Sequence, residues 1–298
     1  MNYDLGLAWN WEYDGDLASL LEAACQARNQ TLLQITPDTL ETIVQGLASG
    51  QIALRSFFDR ASDADERFLA VAQWARQHAR LIINPYEQAV HAWDKVAMHL
   101  ALSPTLHTPY TVILPSCQER PDLPAIDLGL LGNCFSIKPA HGGGGEGVVV
   151  EATSLDQVQV SRQEYPSDRY LLQAHVAPAQ MGTRLAWYRL IYCAGRVYPC
   201  WWDTQTHVYT PATPAEETRH GLGPLAAMAG SIARICGLDL FSTEIARTVE
   251  GQFIVVDYVN DPIDLRLQSK SAEGVPDAIV QDVARRLAAL VAGALSRV

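Results

Sequence analysis

Cys134-Phe-Ser-Ile-Lys138-Pro-Ala-His-Gly142-Gly-Gly-Gly-Glu-Gly147-Val-Val-Val-Glu151 decides how this chain is read. Val148–Val150 is a β-branched run, and no helix-opening signal follows the glycines, so the stretch reads strand, glycine-rich turn, strand. Gly142, Gly144 and Gly147 satisfy G-x-G-x-x-G, and Val149 extends the match to the longer kinase-type pattern. A dinucleotide fingerprint needs its glycines to open a helix whose N-terminus meets the phosphate, which a following strand rules out. A protein kinase needs a lysine on a strand soon after the loop, then H-R-D and D-F-G segments. Here the next lysine is Lys270 and neither tripeptide occurs. What survives is a strand carrying Lys138 beside the side-chain-free Gly142, Gly143, Gly144, Gly145 and Gly147. Their N–H groups can close on phosphate oxygens while Lys138 supplies a point charge. A mobile surface hairpin with an incidental lysine is the competing reading.

A second pattern lies further along. Phe241–Arg247 and Gln252–Val259 read as a hairpin. If Glu250-Gly251 forms its two-residue turn, Val249 faces Gln252 and Glu244 falls opposite Asp257. Opposed carboxylates stand about 4.5–5.5 Å apart at Cβ and repel, so a sheet needs a reason to place them there. A divalent cation is such a reason, since hard oxygen ligands suit Mg²⁺ and the ion can bridge nucleotide phosphates. The alternative is a solvated face with arginine neighbours.

Composition narrows the partners. The 298 residues are 48% hydrophobic and 18% charged, enough apolar material for two or three lobes and too much for disorder. A net charge of −11 argues against nucleic acid or an anionic membrane as partner, because those surfaces need a cationic field. The six cysteines contain no C-x-x-C and read as reduced, mostly buried thiols. The acidic start and the lack of an 18-residue apolar run give the expectation of a cytoplasmic protein with no membrane association. Only three of the 22 basic residues are lysines, Lys95, Lys138 and Lys270, which makes each worth locating.

Around these motifs the chain reads as α+β. Strands at 3–9, 31–35 and 81–84 and helices at 17–27 and 64–78 make a small α/β domain over 1–82. A helix over Tyr86–Leu102 carries Asp94 and Lys95, strands follow at 169–176 and 184–202, and Pro224 and Gly237 bracket a helix over 224–236. An amphipathic helix over Val275–Val298 closes the chain.

Taken together these residues resemble the ATP-grasp superfamily of nucleotide-dependent ligases. The resemblance runs from Ile83 to Pro262 through Asn84-Pro85, Asp94-Lys95, Thr108-Pro-Tyr-Thr111, Lys138-Pro139 with its glycines, and Leu172-Gln173-Ala-His-Val176. It continues through the Arg189 strand, Ser242-Thr-Glu244 and Val256-Asp257-Tyr-Val-Asn260. It implies an ATP-grasp fold with an N-terminal small α/β (pre-grasp) domain over 1–82, a small lobe with the glycine-rich lid over 83–168, and a C-terminal lobe with the metal site over 169–298. It further implies ATP and Mg²⁺ as cofactors. Lys95 and Lys138 would contact phosphates, and Gln173, Ala174, His175 and Val176 would hold adenine. The glycines would cover the phosphates, and Arg189 with Lys138 would serve the reacting group. Glu244, Asp257 and Asn260 would bind metal.

Two departures stand out. Relatives space the last acid and asparagine as Glu-x-Asn, whereas Asp257-Tyr-Val-Asn260 on a regular strand puts the two on opposite faces unless a bulge intervenes. No acid lies between Gln173 and Arg184 for the ribose, which leaves Gln180 as the substitute. The implied reaction activates a carboxylate as an acyl phosphate for attack by an amine or similar nucleophile, releasing ADP. A small-molecule kinase and a non-catalytic nucleotide-binding protein are the alternatives, and a homodimer is left open. Arg266 and Lys270 after the metal strand, and the lip Trp9–Asp14, are candidates for substrate contact. Trp187, Trp201 and Trp202 read first as core.

Overall fold

Residues 2–83 build a parallel sheet. The computed structural model describes residues 1–295. Its first elements are β1 (Asn2–Trp9), α1 (Gly15–Gln26), β2 (Leu32–Ile35), α2 (Leu40–Ala48), β3 (Ala53–Arg60), α3 (Leu69–His78) and β4 (Leu81–Ile83). The strand order is β2-β1-β3-β4. Consecutive residues are buried in β1 (Leu5, Leu7, Ala8) and β3 (Phe57, Phe58), as happens when helices cover both faces. α2 and β3 are absent from the sequence reading. β3 (ALRSFFDR) mixes apolar residues with Arg55, Ser56, Asp59 and Arg60 and has no regular alternation to announce a strand. All four strands end on one side, delivering Asn10, Ala61 and Asn84 to the same edge.

The helix expected over Tyr86–Leu102 is two helices, α4 (Tyr86–Trp93) and α5 (Lys95–Leu102). Asp94 breaks it: its Oδ1 accepts from the N–H groups of Val96 (2.9 Å) and Ala97 (3.1 Å), so the residue caps α5 instead of continuing α4. Lys95 thereby becomes the first residue of a helix, with its own N–H donating to the Ala140 carbonyl at 2.8 Å. β5 (Thr111–Leu114), β6 (Phe135–Pro139), β7 (Val149–Ala152), α6 (Leu155–Glu164) and β8 (Tyr170–Ala174) follow. The strands form an antiparallel sheet ordered β5-β8-β6-β7. β8 is therefore central to this sheet, whereas the sequence division at 168/169 assigns it to the next lobe. The chain passes to the next sheet after Ala174.

The remaining elements are β9 (Gln180–Met181), β10 (Arg184–Leu185), β11 (Trp187–Cys193), β12 (Arg196–Trp202), β13 (Tyr209–Pro211), α7 (Pro214–His220), α8 (Gly223–Cys236), β14 (Leu240–Arg247), β15 (Phe253–Asn260) and α9 (Asp277–Leu295). Five strands make an antiparallel sheet ordered β13-β12-β11-β14-β15, with β9 and β10 a separate ribbon. Alternation along β11 sends Tyr188 and Leu190 to one face, where they pack with residues of α4, α5 and α8. Ile191 and Cys193 go to the other, with Leu17 and Leu21 of α1 and Val283 and Leu287 of α9. That second core extends to Trp187, Trp202 and Tyr209 at the near end of this face, where Arg189 sits among them. Residues 296–298 of the closing helix read from the sequence lie outside the described residues. Among those described, no helix is long and apolar enough to cross a membrane.

Candidate active site

The two lysines approach from different elements. Lys138, on β6, reaches across to the large sheet and donates to the Val256 carbonyl at 3.0 Å. Lys95 extends from the start of α5 and donates to the Gly142 carbonyl at 2.5 Å, tying the helix to the glycine turn. Burial pushes the Lys95 ammonium below its ordinary value; Asp257 pulls it back up and the nearby Lys138 charge opposes. The pair thus shares one electrostatic neighbourhood with the carboxylate of β15. Lys270 is elsewhere, in an exposed ion pair with Asp16 of α1 (2.6 Å).

Glu244 and Asp257 do face each other, by a different route from the one the sequence suggests. Thr248 N–H donates to Gln252 O (2.9 Å) and Gly251 N–H to Thr248 O (2.9 Å), so the turn holds three residues, with Gly251 at φ +86°. The register is shifted by one from that expected, pairing Arg247 with Phe253 and Ile245 with Val255. A bulge at Val256 then restores the pairing of Glu244 with Asp257. The bulged residue's carbonyl is the one Lys138 meets. A second irregularity sets Ser242 opposite Asn260. Asn260 therefore returns to the side of Asp257 and donates from Nδ2 to its Oδ2 at 2.9 Å.

Arg189 completes the group from β11, directly opposite Glu244. Its Nη1 donates to Glu244 Oε1 (3.1 Å) and its Nε to Ser242 Oγ (3.3 Å), while its guanidinium lies 4.7 Å from the Trp202 ring centre. Trp187, two residues earlier on the same face, donates from Nε1 to Glu244 Oε2 at 2.9 Å. Both Glu244 oxygens are thus held. Burial pushes its carboxyl above the ordinary range, with Arg189 acting against the shift and Asp257 with it.

At the expected adenine hinge, Gln173 is 2% exposed. Its Nε2 donates to the hydroxyls of Tyr258 (2.7 Å) and Thr111 (3.2 Å), and the Tyr258 hydroxyl meets His99 Nδ1 at 2.6 Å. Its side chain is therefore occupied with fixing the strand that carries Ala174, the exposed His175 and the buried Val176. Gln180 is exposed on the β9–β10 ribbon and donates to the Gly182 carbonyl (2.9 Å), with no contact to the lysines or carboxylates. In the glycine turn, a Cβ on Gly147 would come within 2.6 Å of the Tyr165 ring at a φ of +68°, so only glycine fits there. The turn is latched by Tyr165 O–H to Glu146 (3.0 Å) and by His141, whose N–H donates to Asp168 at 2.8 Å.

The fold has solved counterparts. A RimK-domain ATP-grasp protein from Sphaerobacter thermophilus superposes with a TM-score of 0.63 at 17% identity, over 97% of this chain and 100% of the other. The chain has the ATP-grasp fold. The ATP-grasp ligase PsnB, solved with a minimal precursor, Mg and ADP, gives a TM-score of 0.65 at 12% identity, over 99% of each chain. D-cycloserine synthetase DcsG gives 0.59 at 17% identity, over 96% of this chain and 99% of the other. No protein-family model and no curated protein sequence matches the chain.

Within this ATP-grasp fold, the donors at the end of β15 fit a hard cation. Two carboxylates and the Asn260 Oδ1 are oxygen ligands of the kind Mg²⁺ takes, and it completes such a shell with waters and phosphates. A cation there would also offset the cost of burying Glu244 beside Asp257. Among the described residues no three His, Cys, Asp or Glu side chains converge as a metal cage. The sequence reading missed Trp187, Trp202 and Tyr258 as parts of this site. The signal for Trp187 was its spacing of two from Arg189, which puts both on one face. Tyr258 gave none, because its role depends on the bulges.

Proposed function

We propose that the protein uses ATP and Mg²⁺ to activate a carboxylate as an acyl phosphate, which an amine or similar nucleophile attacks with release of ADP. The observation that carries this reading is the meeting of Lys95, Lys138, Arg189, Glu244, Asp257 and Asn260 between two sheets of an ATP-grasp fold. Lys95 and Lys138 would hold the nucleotide phosphates, and the backbone from Gln173 to Val176 would hold adenine, with Gln180 near the ribose. Gly142 to Gly147 would close over the phosphates. Glu244, Asp257 and Asn260 would hold Mg²⁺, which supplies charge neutralisation for the phosphates when bound. Arg189, fixed by Glu244, Ser242 and Trp202, would steady charge on the transferred phosphoryl group without reorganising.

Support from relatives is of the same kind: PsnB was solved with Mg and ADP, and MdnC from Microcystis aeruginosa is a macrocyclase bound with a precursor peptide. For this chain the substrates proposed are a small-molecule carboxylate and a nucleophile. The test is ADP release with ATP, Mg²⁺ and a panel of carboxylates, with and without hydroxylamine. Hydroxamate formation is expected. A stable phosphorylated product without hydroxamate would mean a kinase, and ATP binding without turnover on any substrate would mean a non-catalytic binder.

A further inference from the structure

Glu244 is held from a single strand by two donors of different kinds. Arg189 lies directly opposite it on β11, and Trp187, two residues earlier on the same face, lies opposite Ala246. A diagonal neighbour in an antiparallel pair is about 7–8 Å away, within reach of an aromatic side chain. The indole spans that diagonal and donates from Nε1 to Glu244 Oε2 at 2.9 Å, while Arg189 donates to Oε1 at 3.1 Å. The Trp187 ring packs against the core formed with α1 and α9, which gives the donor a fixed mount.

A buried indole commonly brings its N–H to some acceptor, yet this sheet does not pair every indole: Trp201 of β12 buries its Nε1 without a partner. The acceptor for Trp187 is a carboxylate that its surroundings work against. Burial raises the Glu244 carboxyl, Arg189 opposes that rise, Asp257 adds to it, and the hydrogen bond from Trp187 opposes it again. A cation needs this carboxylate ionised and in one orientation. Arg189 keeps it ionised but cancels charge that would attract the ion. A neutral N–H holds the second oxygen with no such cancellation. An ionised carboxylate accepts at about four lone-pair positions, so one donor on each oxygen leaves capacity for a metal. We propose that Trp187 is a positioning residue whose indole N–H sets the Glu244 carboxylate for Mg²⁺. The inference rests on the metal assignment within the ligase reading above and extends it to a residue that is not itself a ligand.

The test is thermal unfolding of the full chain at a fixed, saturating concentration of ADP while Mg²⁺ is titrated, for the wild type, Trp187→Phe and Trp187→His. Trp187→Phe keeps an aromatic ring and lacks the donor. In Trp187→His the ring Nε2 lies the same number of bonds from Cα as the indole Nε1, and at about pH 8 the ring is mostly neutral and can supply the N–H again. The Mg²⁺ concentration giving half the stabilisation is expected to rise about tenfold in Trp187→Phe and to return to within about threefold of wild type in Trp187→His, since loss of a hydrogen-bond partner of a metal ligand weakens metal binding on that scale. A ring that only fills the core would lower the melting temperature of both variants and leave the Mg²⁺ midpoint where it is, and that result would overturn the proposal. A midpoint raised equally in both variants would overturn it too. Absence of any Mg²⁺-dependent stabilisation in the wild type would instead sink the metal assignment of the ligase reading, whereas a wild-type response shared by both variants sinks the role of Trp187 alone.

Discussion

Asn260 donates its side-chain amide to the Asp257 carboxylate at 2.9 Å, although on a regular strand three residues apart the two would point to opposite faces. The irregular pairing of β14 with β15 is what turns Asn260 back to the side of Asp257. Asn260→Ala is therefore expected to raise the Mg²⁺ concentration needed for half-maximal ADP release, by about tenfold or more. Saturating Mg²⁺ should restore much of the rate. A Mg²⁺ dependence unchanged from wild type would remove Asn260 from the metal set.

Lys138 reaches from β6 to β15 through the Val256 carbonyl. Lys138→Met keeps most of the stem and removes the charge. It is expected to lower kcat for ADP release by about 10²-fold or more, as loss of one preorganised donor does in other sites. Circular dichroism should stay that of the wild type. A rate within twofold of wild type would undo the placement of this lysine at the phosphates.

How much of this was legible in the sequence depends on the kind of signal. The strand–glycine–strand motif and the lysine beside it were readable because each is local. The pairing of Glu244 with Asp257 was reached from a turn that does not form: the three-residue loop moves the register one way, and the Val256 bulge moves it back. Bulges respond to tertiary contacts, here Lys138 on the Val256 carbonyl and Val255 N–H on the His107 carbonyl (2.9 Å), and those partners lie over a hundred residues away in sequence. The break at Asp94 carried a local signal, an aspartate three residues before an apolar turn, that helical periodicity on both sides concealed. The buried network at Gln173 was invisible for the same reason as the bulges.

The ion pair of Asp14 with Arg60 is almost wholly buried, with side chains 3% and 2% exposed. Arg60 also holds the Ile263 carbonyl, so it joins the parallel sheet to the segment just past β15. Asp14→Ala leaves that guanidinium buried without its counter-charge, and a loss of about 3–5 kcal/mol in unfolding free energy is expected. Urea denaturation measures it. A loss below about 1 kcal/mol would mean that water replaces the carboxylate and that the pair does not hold the sheet.

Tyr258 lies between Asp257 and Asn260 in the chain, yet its hydroxyl joins Gln173 of β8 to His99 of α5. Tyr258→Phe leaves the Gln173 amide and the His99 nitrogen each short of a partner, at an expected cost of about 1–3 kcal/mol in stability. Because the same contact fixes the strand that carries the hinge, weaker ATP binding should accompany the loss. Calorimetric titration of ATP at a temperature where the variant is folded separates the two effects. Lost stability with unchanged ATP affinity would confine the network to a structural role.

The same network makes stability depend on pH in a defined direction. Burial lowers the His99 pKa below that of a free imidazole. With Gln173 donating to the Tyr258 oxygen, the Tyr258 O–H is free to donate to His99 Nδ1, an arrangement that requires the neutral ring. Between the folded and unfolded pKa values the unfolded chain binds more protons, so stability rises with pH across that window. The contribution is complete above about pH 6.5, the unfolded value, and is lost as pH falls through the folded one. His99→Gln keeps a polar group at this position but cannot titrate. Melting temperatures of wild type and variant between pH 5 and 7.5 should therefore converge toward the acid end, with the wild type losing stability faster. Parallel curves would mean that His99 does not change protonation on unfolding, and the assignment of a neutral ring against the Tyr258 hydroxyl would fail.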